Sequence, residues 1–406
     1  MSKILYLSSF FPKEQRDYFI CNSKGAISNA NDSLQTSVIQ GFKKHNCKVS
    51  IINVPNIGSF PKRFKKFKTP SFNFKLNSEI QGHNLGFINF PIIKHVFIKN
   101  VLNNYCNKNT EIIKNVDYVF VYDLYAPFLK ILKTIRKLNK HCQIVVMIPD
   151  IIGYTQSNIG VLQKRLNESN LNTLMEANNL IDGFIYLTEK MVEALPLQCK
   201  TKPHIVIEGI LNEENIIYKK KEVSSNKYIF YSGSLDIRHG LLNLIEAFIK
   251  ANIGNEIELH ICGDGDGKDA MLKMIKGVSN IKYFGQLDRK KVILKQSEAF
   301  LLINPRTSEG EFTKYSFPSK IMEYFLSGTP SFMYKLEGIP SEYYKYCLSL
   351  KDESISALTD FFKNLLTLSE SDLLILGSNA RNFVLTNKNP SIQVGKILKF
   401  YKNLEV

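Results

Sequence analysis

Short apolar runs alternate with segments of helical spacing along most of the chain. In the first half the runs are nearly continuous and rich in Val, Ile, Phe and Tyr. Strands buried on both faces of a parallel sheet have this composition. Apolar residues between the runs recur every three or four positions, as over 129–138, and predict amphipathic helices. The alternation predicts a doubly wound α/β domain with strands at Ile4–Leu7, Val49–Val54, Tyr118–Tyr122, Ile144–Ile148 and Phe184–Leu187.

The same alternation starts again after a polar interruption. Residues 219–227 are rich in lysine and serine, which makes this segment the best candidate for a linker. Beyond it, strands are predicted at Tyr228–Tyr231, Ile257–Ile261, Ile281–Phe284, Ala299–Ile303 and Ser331–Tyr334. Helices are predicted between them at Leu241–Lys250, Lys268–Ile275, Lys290–Ser297 and Pro318–Leu326.

The pattern therefore predicts two Rossmann-like domains in tandem, 1–215 and 216–390. A last helix in 391–406 could pack on either of them. Two such domains facing each other would form a central cleft at the carboxyl ends of both sheets, where ligands of this architecture bind.

Composition narrows the class of protein. The 406 residues are too many for one ordinary core, and 44% hydrophobic with 22% charged residues is a globular mixture. The 53 Lys and Arg exceed the 37 Asp and Glu by 16, which favours nucleic acid, anionic lipid or phosphorylated small molecules as partners.

Cysteine usage and the N-terminus indicate a cytoplasmic protein. The seven cysteines are scattered without a Cys-x-x-Cys pair, so we expect reduced thiols and neither a disulfide framework nor a zinc site. The start of the chain does not resemble a signal peptide, and no apolar run reaches the ~18 residues of a membrane-spanning helix. Any membrane contact is therefore expected to be peripheral, at the inner face of the cell membrane.

The richest segment for chemistry is 304–330, which follows the predicted strand Ala299–Ile303. A polar loop leads to Pro318, a favourable first residue for a helix, whose free N–H groups would hold a phosphate. Lys314 and Lys320 add positive charge there. Glu323, further along the helix, has a carboxylate that could accept two ribose hydroxyl hydrogens.

The stretch 311–330 resembles the signature of glycosyltransferase family 4, whose members are retaining enzymes of the GT-B fold. Its Phe-Pro-Ser-Lys-x-x-Glu-Tyr sequence is similar to the branch found in capsule and O-antigen polysaccharide biosynthesis. The resemblance implies that Glu323 binds the nucleotide ribose. It also implies that Lys314, Tyr315 and Ser316 lie against the donor diphosphate and sugar.

One position departs from that pattern. The family has a first Glu eight residues before the second, and here Tyr315 stands at that place. Glu309 and Glu311 stand in the same loop, and we expect Glu311 to contact the donor sugar in its place. Both could equally be solvated loop charges.

Two glycine turns follow other predicted strands. In 231–240 the turn at Gly233 and Ser234 precedes Arg238 and a helix, so Arg238 is expected to contact the diphosphate, unless it is a solvated turn residue. In 259–267 the turn begins at Gly263. Its Asp264 and Asp266 superficially resemble a metal-binding Asp-x-Asp, which the tandem pattern argues against. No metal and no cofactor are therefore expected.

The first half of the chain offers fewer candidates. Asp150 ends a predicted strand and is expected to contact the reacting sugar or the acceptor, with a turn cap as the alternative. The segment 60–75 has six basic residues, five Phe and no acid. Phe60, Phe64 and Phe67 would share one helical face, which suits an anionic membrane surface, although a solvated loop is the other interpretation. No nucleic-acid-binding signature accompanies it.

Together these features predict a glycosyltransferase that moves a sugar from a nucleotide-sugar donor, most plausibly UDP-linked, to a saccharide acceptor on a lipid carrier. Catalytic roles fall to Asp150 and Glu311. The alternatives are a sugar-nucleotide epimerase and a non-catalytic scaffold or polyanion-binding protein of the same fold. The sequence leaves the sugar, the linkage, the acceptor and the oligomeric state open.

Overall fold

A computed structural model describes residues 1–25, 27, 29–91, 93–153, 161–216, 227–254 and 256–404, without the side chains of 161–163 and 166. The chain forms two compact units. Unit 1 comprises residues 1–212 and 390–406, and unit 2 comprises residues 213–389. The predicted linker 219–227 lies outside the described residues except for Lys227.

Unit 1 is built on an eight-stranded sheet in the order β3-β4-β2-β1-β5-β6-β7-β8. All neighbouring strands pair in parallel except β3, which is antiparallel to β4. The strands are β1 (Lys3–Ser8), β2 (Lys48–Asn53), β3 (Phe72–Lys75), β4 (Ile80–Asn84), β5 (Tyr118–Tyr122), β6 (Gln143–Ile148), β7 (Gly183–Tyr186) and β8 (His204–Val206).

Helices cover this sheet because the central strands are apolar on both faces. All five residues of β5 and the last five of β6 are buried. The helices of unit 1 are α1 (Arg16–Asn22), α2 (Asn29–Lys44), α3 (Lys94–Lys108), α4 (Thr110–Lys114), α5 (Ala126–Leu138), α6 (Val161–Ala177) and α7 (Leu197–Lys200), and the unit also includes α14 (Pro390–Asn403) from the end of the chain.

Unit 2 has a smaller, all-parallel sheet in the order β11-β10-β9-β12-β13. Its strands are β9 (Tyr228–Ser234), β10 (Glu258–Asp264), β11 (Ile281–Tyr283), β12 (Leu301–Asn304) and β13 (Ser331–Met333). Its helices are α8 (Leu241–Ala251), α9 (Lys268–Met274), α10 (Arg289–Glu298), α11 (Lys320–Ser327), α12 (Ile355–Leu365) and α13 (Glu370–Asn387).

The predicted fold class is confirmed, because each unit is a Rossmann-like arrangement of parallel strands and helices. Three strands of unit 1 were not predicted: β3, β4 and β8. The two outer strands β3 and β4 mix polar and apolar residues, and β8 has only three residues, so none forms the continuous apolar run of a central strand.

Two local predictions were wrong. Helix α11 begins at Lys320, so Pro318 precedes it and its carbonyl accepts from Ile321 N at 3.0 Å. Residues 60–75 do not form a helix: they run through turns into β3. Phe64 is fully buried, whereas the ring of Phe67 is 55% exposed, so the two Phe do not share a face.

No helix among the described residues is long and apolar enough to cross a bilayer.

The last helix is held to unit 1 by a buried tyrosine. The Tyr401 hydroxyl donates to the Val119 carbonyl oxygen at 2.8 Å, and its ring stacks on Tyr118 with centroids 4.4 Å apart. Tyr401 is fully buried, so this hydrogen bond has no competition from water. Residues 390–403 therefore belong to the core of unit 1 despite following unit 2 in the chain.

We predict that Tyr401→Phe lowers the free energy of unfolding of unit 1 by about 1 kcal/mol, because a buried carbonyl loses its donor. Urea denaturation followed by circular dichroism measures it. The exposed neighbour Lys402 supplies a matched control, since Lys402→Ala should stay within about 0.5 kcal/mol of the wild type. Equal effects of the two substitutions would contradict the anchoring role of Tyr401.

Candidate functional site

Two glycines bring the carboxyl ends of β9 and β10 into close contact. A Cβ atom added to Gly263 would lie 1.7 Å from the carbonyl oxygen of Gly233. A Cβ atom added to Gly233 would lie 1.4 Å from Nζ of Lys320. The clash with backbone excludes a side chain at Gly263, and the φ of 156° strains one at Gly233, so bare backbone at the end of β9 lies beside the Lys320 ammonium group.

Lys320 is the first residue of α11, and it extends back towards the β9 turn. Its Nζ lies 4.7 Å from the centroid of the Tyr231 ring, a cation–π contact. Burial lowers the pKa of Lys320 to about 8, and the nearby Glu323 charge partly opposes this shift. At pH 7 the side chain is therefore mostly protonated, and a bound anion would complete its solvation.

A second cation lies at the carboxyl end of β12. Arg306 is only 8% exposed, and its Nη2 donates to Oγ of Ser316 at 2.5 Å. Its guanidinium carbon lies 4.6 Å from the centroid of the Phe312 ring. Ser316, a predicted site residue, thus holds the Arg306 side chain in place. Arg306 itself was not predicted from the sequence.

The charges of both cations affect the pKa of His239. Burial lowers the pKa of His239 to about 4, and the charges of Lys320 and Arg306 add to that effect. The imidazole is therefore neutral at pH 7. We call Gly233, His239, Arg306 and Lys320 the cation site. It combines a buried arginine, a half-buried lysine and a neutral histidine with a glycine at the end of β9, and two cations placed in this way suit a phosphate.

Arg238, the predicted phosphate ligand, forms an ion pair with a carboxylate two residues away in the chain. Its guanidinium pairs with the carboxylate of Asp236, with 2.5 Å between Nη2 and Oδ2. The hydrogen bonds from Arg238 hold the pKa of Asp236 below its usual value. The guanidinium carbon also lies 4.9 Å from the centroid of the Phe312 ring. A diphosphate contact by Arg238 stays a prediction. For that contact the guanidinium would have to bind Asp236 and the diphosphate together, or break its ion pair with Asp236.

Glu323 lies in the first turn of α11, because the helix begins at Lys320, two residues after the predicted start at Pro318. Its Oε1 is 2.9 Å from Nη2 of Arg289, the first residue of α10. Both side chains are partly exposed, at 21% and 38%. Arg289 therefore fixes the carboxylate that the family resemblance assigns to the ribose.

The loop between β12 and α11 places the remaining predicted residues. Glu311 is exposed and its carboxylate makes no hydrogen bond among the described residues. Lys314 Nζ lies 3.9 Å from Oε1 of Glu337. Tyr315 is half-buried, and its backbone N–H donates to the Phe312 carbonyl at 3.2 Å.

The two aspartates after β10 support a turn. Asp266 Oδ1 accepts from the backbone N–H of Ile237 at 3.3 Å, and Asp264 Oδ1 lies 3.8 Å from Nζ of Lys268. Among the residues that the structure describes, no group of three His, Cys, Asp or Glu side chains could hold a metal ion.

In unit 1, Asp150 is exposed just beyond β6. The charge of Asp150 contributes to raising the pKa of Asp123 to about 7, although burial of Asp123 is the larger cause. Asp123 follows the neighbouring strand β5 with a positive φ of 74°. The predicted Asp150 thus has a second carboxyl group nearby, and the two acids lie at the carboxyl edge of the sheet.

Residues 212–383 match the family model described as "Glycosyl transferases group 1". The matched segment contains the whole cation site. It covers less than half of the chain and includes almost none of unit 1. No curated protein is similar enough in sequence to count as a match.

Solved structures with the same fold include several glycosyltransferases. A sucrose-phosphate synthase from Thermosynechococcus elongatus has a TM-score of 0.66 at 14% identity, covering 100% of this chain and 99% of its own. HepE from Anabaena in complex with UDP has a TM-score of 0.64 at 13% identity, covering 99% and 100%. A trehalose-6-phosphate structure from E. coli with UDP-2-fluoro glucose has a TM-score of 0.62 at 12% identity, covering 99% of each chain. The two Rossmann-like units are those of the GT-B fold.

Three residues at these sites were not predicted from the sequence. Arg306 directly follows a predicted strand and could have been found by its place at a carboxyl edge. Arg289 has no such signal, because its partner Glu323 is distant in sequence. Asp123 also follows a predicted strand, but its burial depends on packing that no local pattern encodes.

We predict that the affinity for UDP falls about tenfold between pH 7.2 and pH 9.2, because Lys320 with a pKa of about 8 loses its proton over this range. The diphosphate is already mostly ionised at the lower pH, and His239 with a pKa of about 4 stays neutral. Isothermal titration calorimetry at several pH values measures the change. Lys320→Met should bind more weakly and without this pH dependence. A flat profile in the wild type would remove Lys320 from the anion site.

Proposed function

We propose that the protein is a retaining glycosyltransferase that moves a sugar from a UDP-linked donor to a saccharide acceptor. The observation that supports this most is the pair of cations, the half-buried Lys320 and the buried Arg306, with Lys320 lying against the backbone of Gly233. They lie within the segment that matches the glycosyltransferase family model. Retention of configuration rests on the resemblance of residues 311–330 to family 4.

In the proposed reaction the cation site stabilises the departing diphosphate. Negative charge develops on the leaving phosphate oxygens as the bond between the sugar and the phosphate breaks. Lys320 Nζ and the Arg306 guanidinium are already fixed by packing, so they need little reorganisation to meet that charge. Neutral His239 adds no competing charge, and its ring N–H could donate to the donor sugar or phosphate.

The carboxylate of Glu323 is assigned to the ribose hydroxyls. Its ion pair with Arg289 holds it in one orientation before the ligand arrives, which reduces the entropy lost on binding. Arg238, Gly263, Lys314 and Tyr315 complete the proposed donor site. Glu311 is proposed to contact the donor sugar from its exposed position in the loop.

The acceptor is assigned to unit 1. Asp150, together with Asp123, would accept hydrogen bonds from acceptor hydroxyls or take up the proton of the attacking hydroxyl. The pKa of about 7 for Asp123 makes its carboxyl group able to exchange a proton near neutral pH. We further propose that the acceptor is lipid-linked and belongs to surface polysaccharide biosynthesis.

A basic and aromatic surface on unit 1 supports the lipid-linked acceptor. Phe60, Phe67 and Phe90 form a cluster with ring centroids 5.3 to 6.4 Å apart. Phe67 and Phe90 are exposed, as are the neighbouring cations Lys62, Arg63, Lys65, Lys66 and Lys68. Exposed rings among positive charges suit the interface of an anionic bilayer.

The experiment that tests the proposed function is a turnover assay with a panel of UDP-sugars in the presence of EDTA. We expect slow release of UDP without an acceptor and no requirement for a metal ion. Conversion of the sugar without UDP release would indicate an epimerase. Absence of both turnover and UDP binding would indicate a scaffold.

We predict that Glu323→Gln lowers the affinity for uridine and for UDP by about tenfold without changing the melting temperature, because the negative charge and one of the two acceptor oxygens for the ribose hydroxyls are lost. Uridine lacks phosphate, so its affinity isolates the ribose contact. The exposed Glu370 on α13 provides a control, and Glu370→Gln should bind both ligands normally. Uridine affinity that is equal in wild type and Glu323→Gln would exclude Glu323 from the ribose site.

We also predict that changing Lys62, Arg63, Lys66 and Lys68 together to Gln reduces binding to phosphatidylglycerol liposomes by tenfold or more, since each cation near the surface contributes ~1 kcal/mol. Lys65 is left in place because its Nζ donates to the Cys21 carbonyl at 2.7 Å. Liposome sedimentation measures the change. The exposed residues Lys130, Lys133, Lys137 and Lys140 supply a charge-matched control variant. Equal losses in both variants would show that net charge alone attracts the protein.

A further inference from the structure

A cavity of about 410 Å³ lies in unit 1, away from the carboxyl edge of its sheet. The sheet registers Leu5 with Ser50, Ser50 with Gln81, and Gln81 with Lys75, so these four residues form one row across β1, β2, β4 and β3. Rows separated by two residues lie on the same face. The row through Ile52, His83 and Asn73 therefore shares this face.

Polar residues dominate the outer part of this face, which is unusual for a covered sheet. Helices α3 and α4 supply the opposite wall with Tyr105, Asn109, Ile112 and Ile113. Leu5 and Ile113 are each 1% exposed, whereas Ser50, Tyr105 and Asn109 are half-buried. The cavity thus has an apolar floor and a polar rim.

A chain of hydrogen bonds fixes one amide at this rim. Nδ1 of His83 lies 2.5 Å from Oδ1 of Asn73, and Nε2 lies 2.9 Å from Oγ of Ser71. An amide oxygen can only accept, so Nδ1 carries the proton and Nε2 accepts from the serine hydroxyl. The NH₂ group of Asn73 is then left as a donor. The His83 ring also stacks on Tyr105, with centroids 5.0 Å apart.

The other polar groups of the rim lack protein partners among the described residues. Asn109 uses its Nδ2 to donate to the Tyr105 carbonyl at 2.8 Å, which leaves its Oδ1 as an acceptor. The side chains of Ser50, Lys75 and Gln81 and the hydroxyl of Tyr105 make no hydrogen bond within the described part of the chain. The rim therefore offers donors and acceptors together. No carboxylate is found among the described residues that line it.

We propose that this cavity binds a neutral pyranose saccharide of one or two units, at a site separate from catalysis. Sugar hydroxyls both donate and accept hydrogen bonds, so they match amide and hydroxyl side chains better than a purely anionic or purely apolar ligand does. The apolar floor of Leu5, Ile112 and Ile113 suits the C–H face of a sugar ring. The volume lies within the range of small-ligand pockets. The inference depends on unit 1 alone and does not require unit 2 to bind a nucleotide.

Saturation-transfer difference NMR and calorimetry on the full chain test the proposal with methyl α-glucopyranoside, methyl α-galactopyranoside, N-acetylglucosamine and maltose. We expect millimolar binding of at least one of them, unaffected by saturating UDP. The double variant Asn73→Ala with Gln81→Ala should weaken it by about tenfold or more, since two hydrogen bonds are lost. Both side chains are exposed, so the variant should fold normally.

Two further variants test whether the saccharide binds inside the cavity. Ser50→Phe should fill the cavity and abolish saccharide binding, while Asn100→Ala, an exposed asparagine of α3, should bind like the wild type. UDP affinity is measured in every variant and should not change. Failure of the whole panel to bind, or binding that the double variant leaves intact, overturns the proposal. Saccharide binding that UDP abolishes would place the sugar in the proposed donor site and also overturns it.

Discussion

The contact between the Lys320 ammonium group and Gly233, near the end of β9, is the constraint on which the candidate site depends. The ammonium occupies the space that a side chain at position 233 would need. Gly263 must in turn lack a side chain, because its Cβ would meet the carbonyl of Gly233. The Lys320 ammonium group therefore lies against bare backbone at the carboxyl edge of a parallel sheet, where ligands of such folds bind.

The charged and titratable side chains of unit 2 at this edge fall into two groups, those of the cation site and two ion pairs. Burial lowers the pKa of His239, and the charges of Lys320 and Arg306 lower it further, so two positive charges and a neutral imidazole coexist at neutral pH. The carboxylates nearby are each engaged: Asp236 pairs with Arg238, and Glu323 pairs with Arg289. The chain carries a formal charge of +16, and the cation site concentrates part of that positive charge at the carboxyl edge of the sheet in unit 2.

The fold could be predicted from the sequence to a large extent, because the central strands of both sheets are continuous apolar runs. The outer strands β3 and β4 could not, since their alternation of polar and apolar residues resembles a loop with a few hydrophobic positions. The segment 60–75 was misinterpreted as helical for a related reason. Phe64 is buried through tertiary packing, and spacing in the sequence does not reveal which Phe the core will take.

The sequence could suggest site residues where they follow a predicted apolar run or lie near the start of a predicted helix, as Gly233, Lys320 and Glu323 do, and their roles stay predictions. It was not predictable where two distant residues meet. Arg289 and Glu323 are neighbours only because α10 and α11 bring them together, and the ion pair of Arg238 with Asp236 changes what an isolated basic residue would suggest. The roles of Glu311 and Asp150 stay predictions, since both side chains are exposed and nothing in their surroundings selects one function.

The most direct test of the central claim is a crystal structure of the full chain in complex with UDP. The account predicts a diphosphate oxygen within hydrogen-bond distance of Lys320 Nζ and of the Arg306 guanidinium, beside the backbone of Gly233, with the ribose against Glu323. A diphosphate bound elsewhere on unit 2, with Lys320 still enclosed by Tyr231 and Gly233 and without a ligand contact, would contradict it.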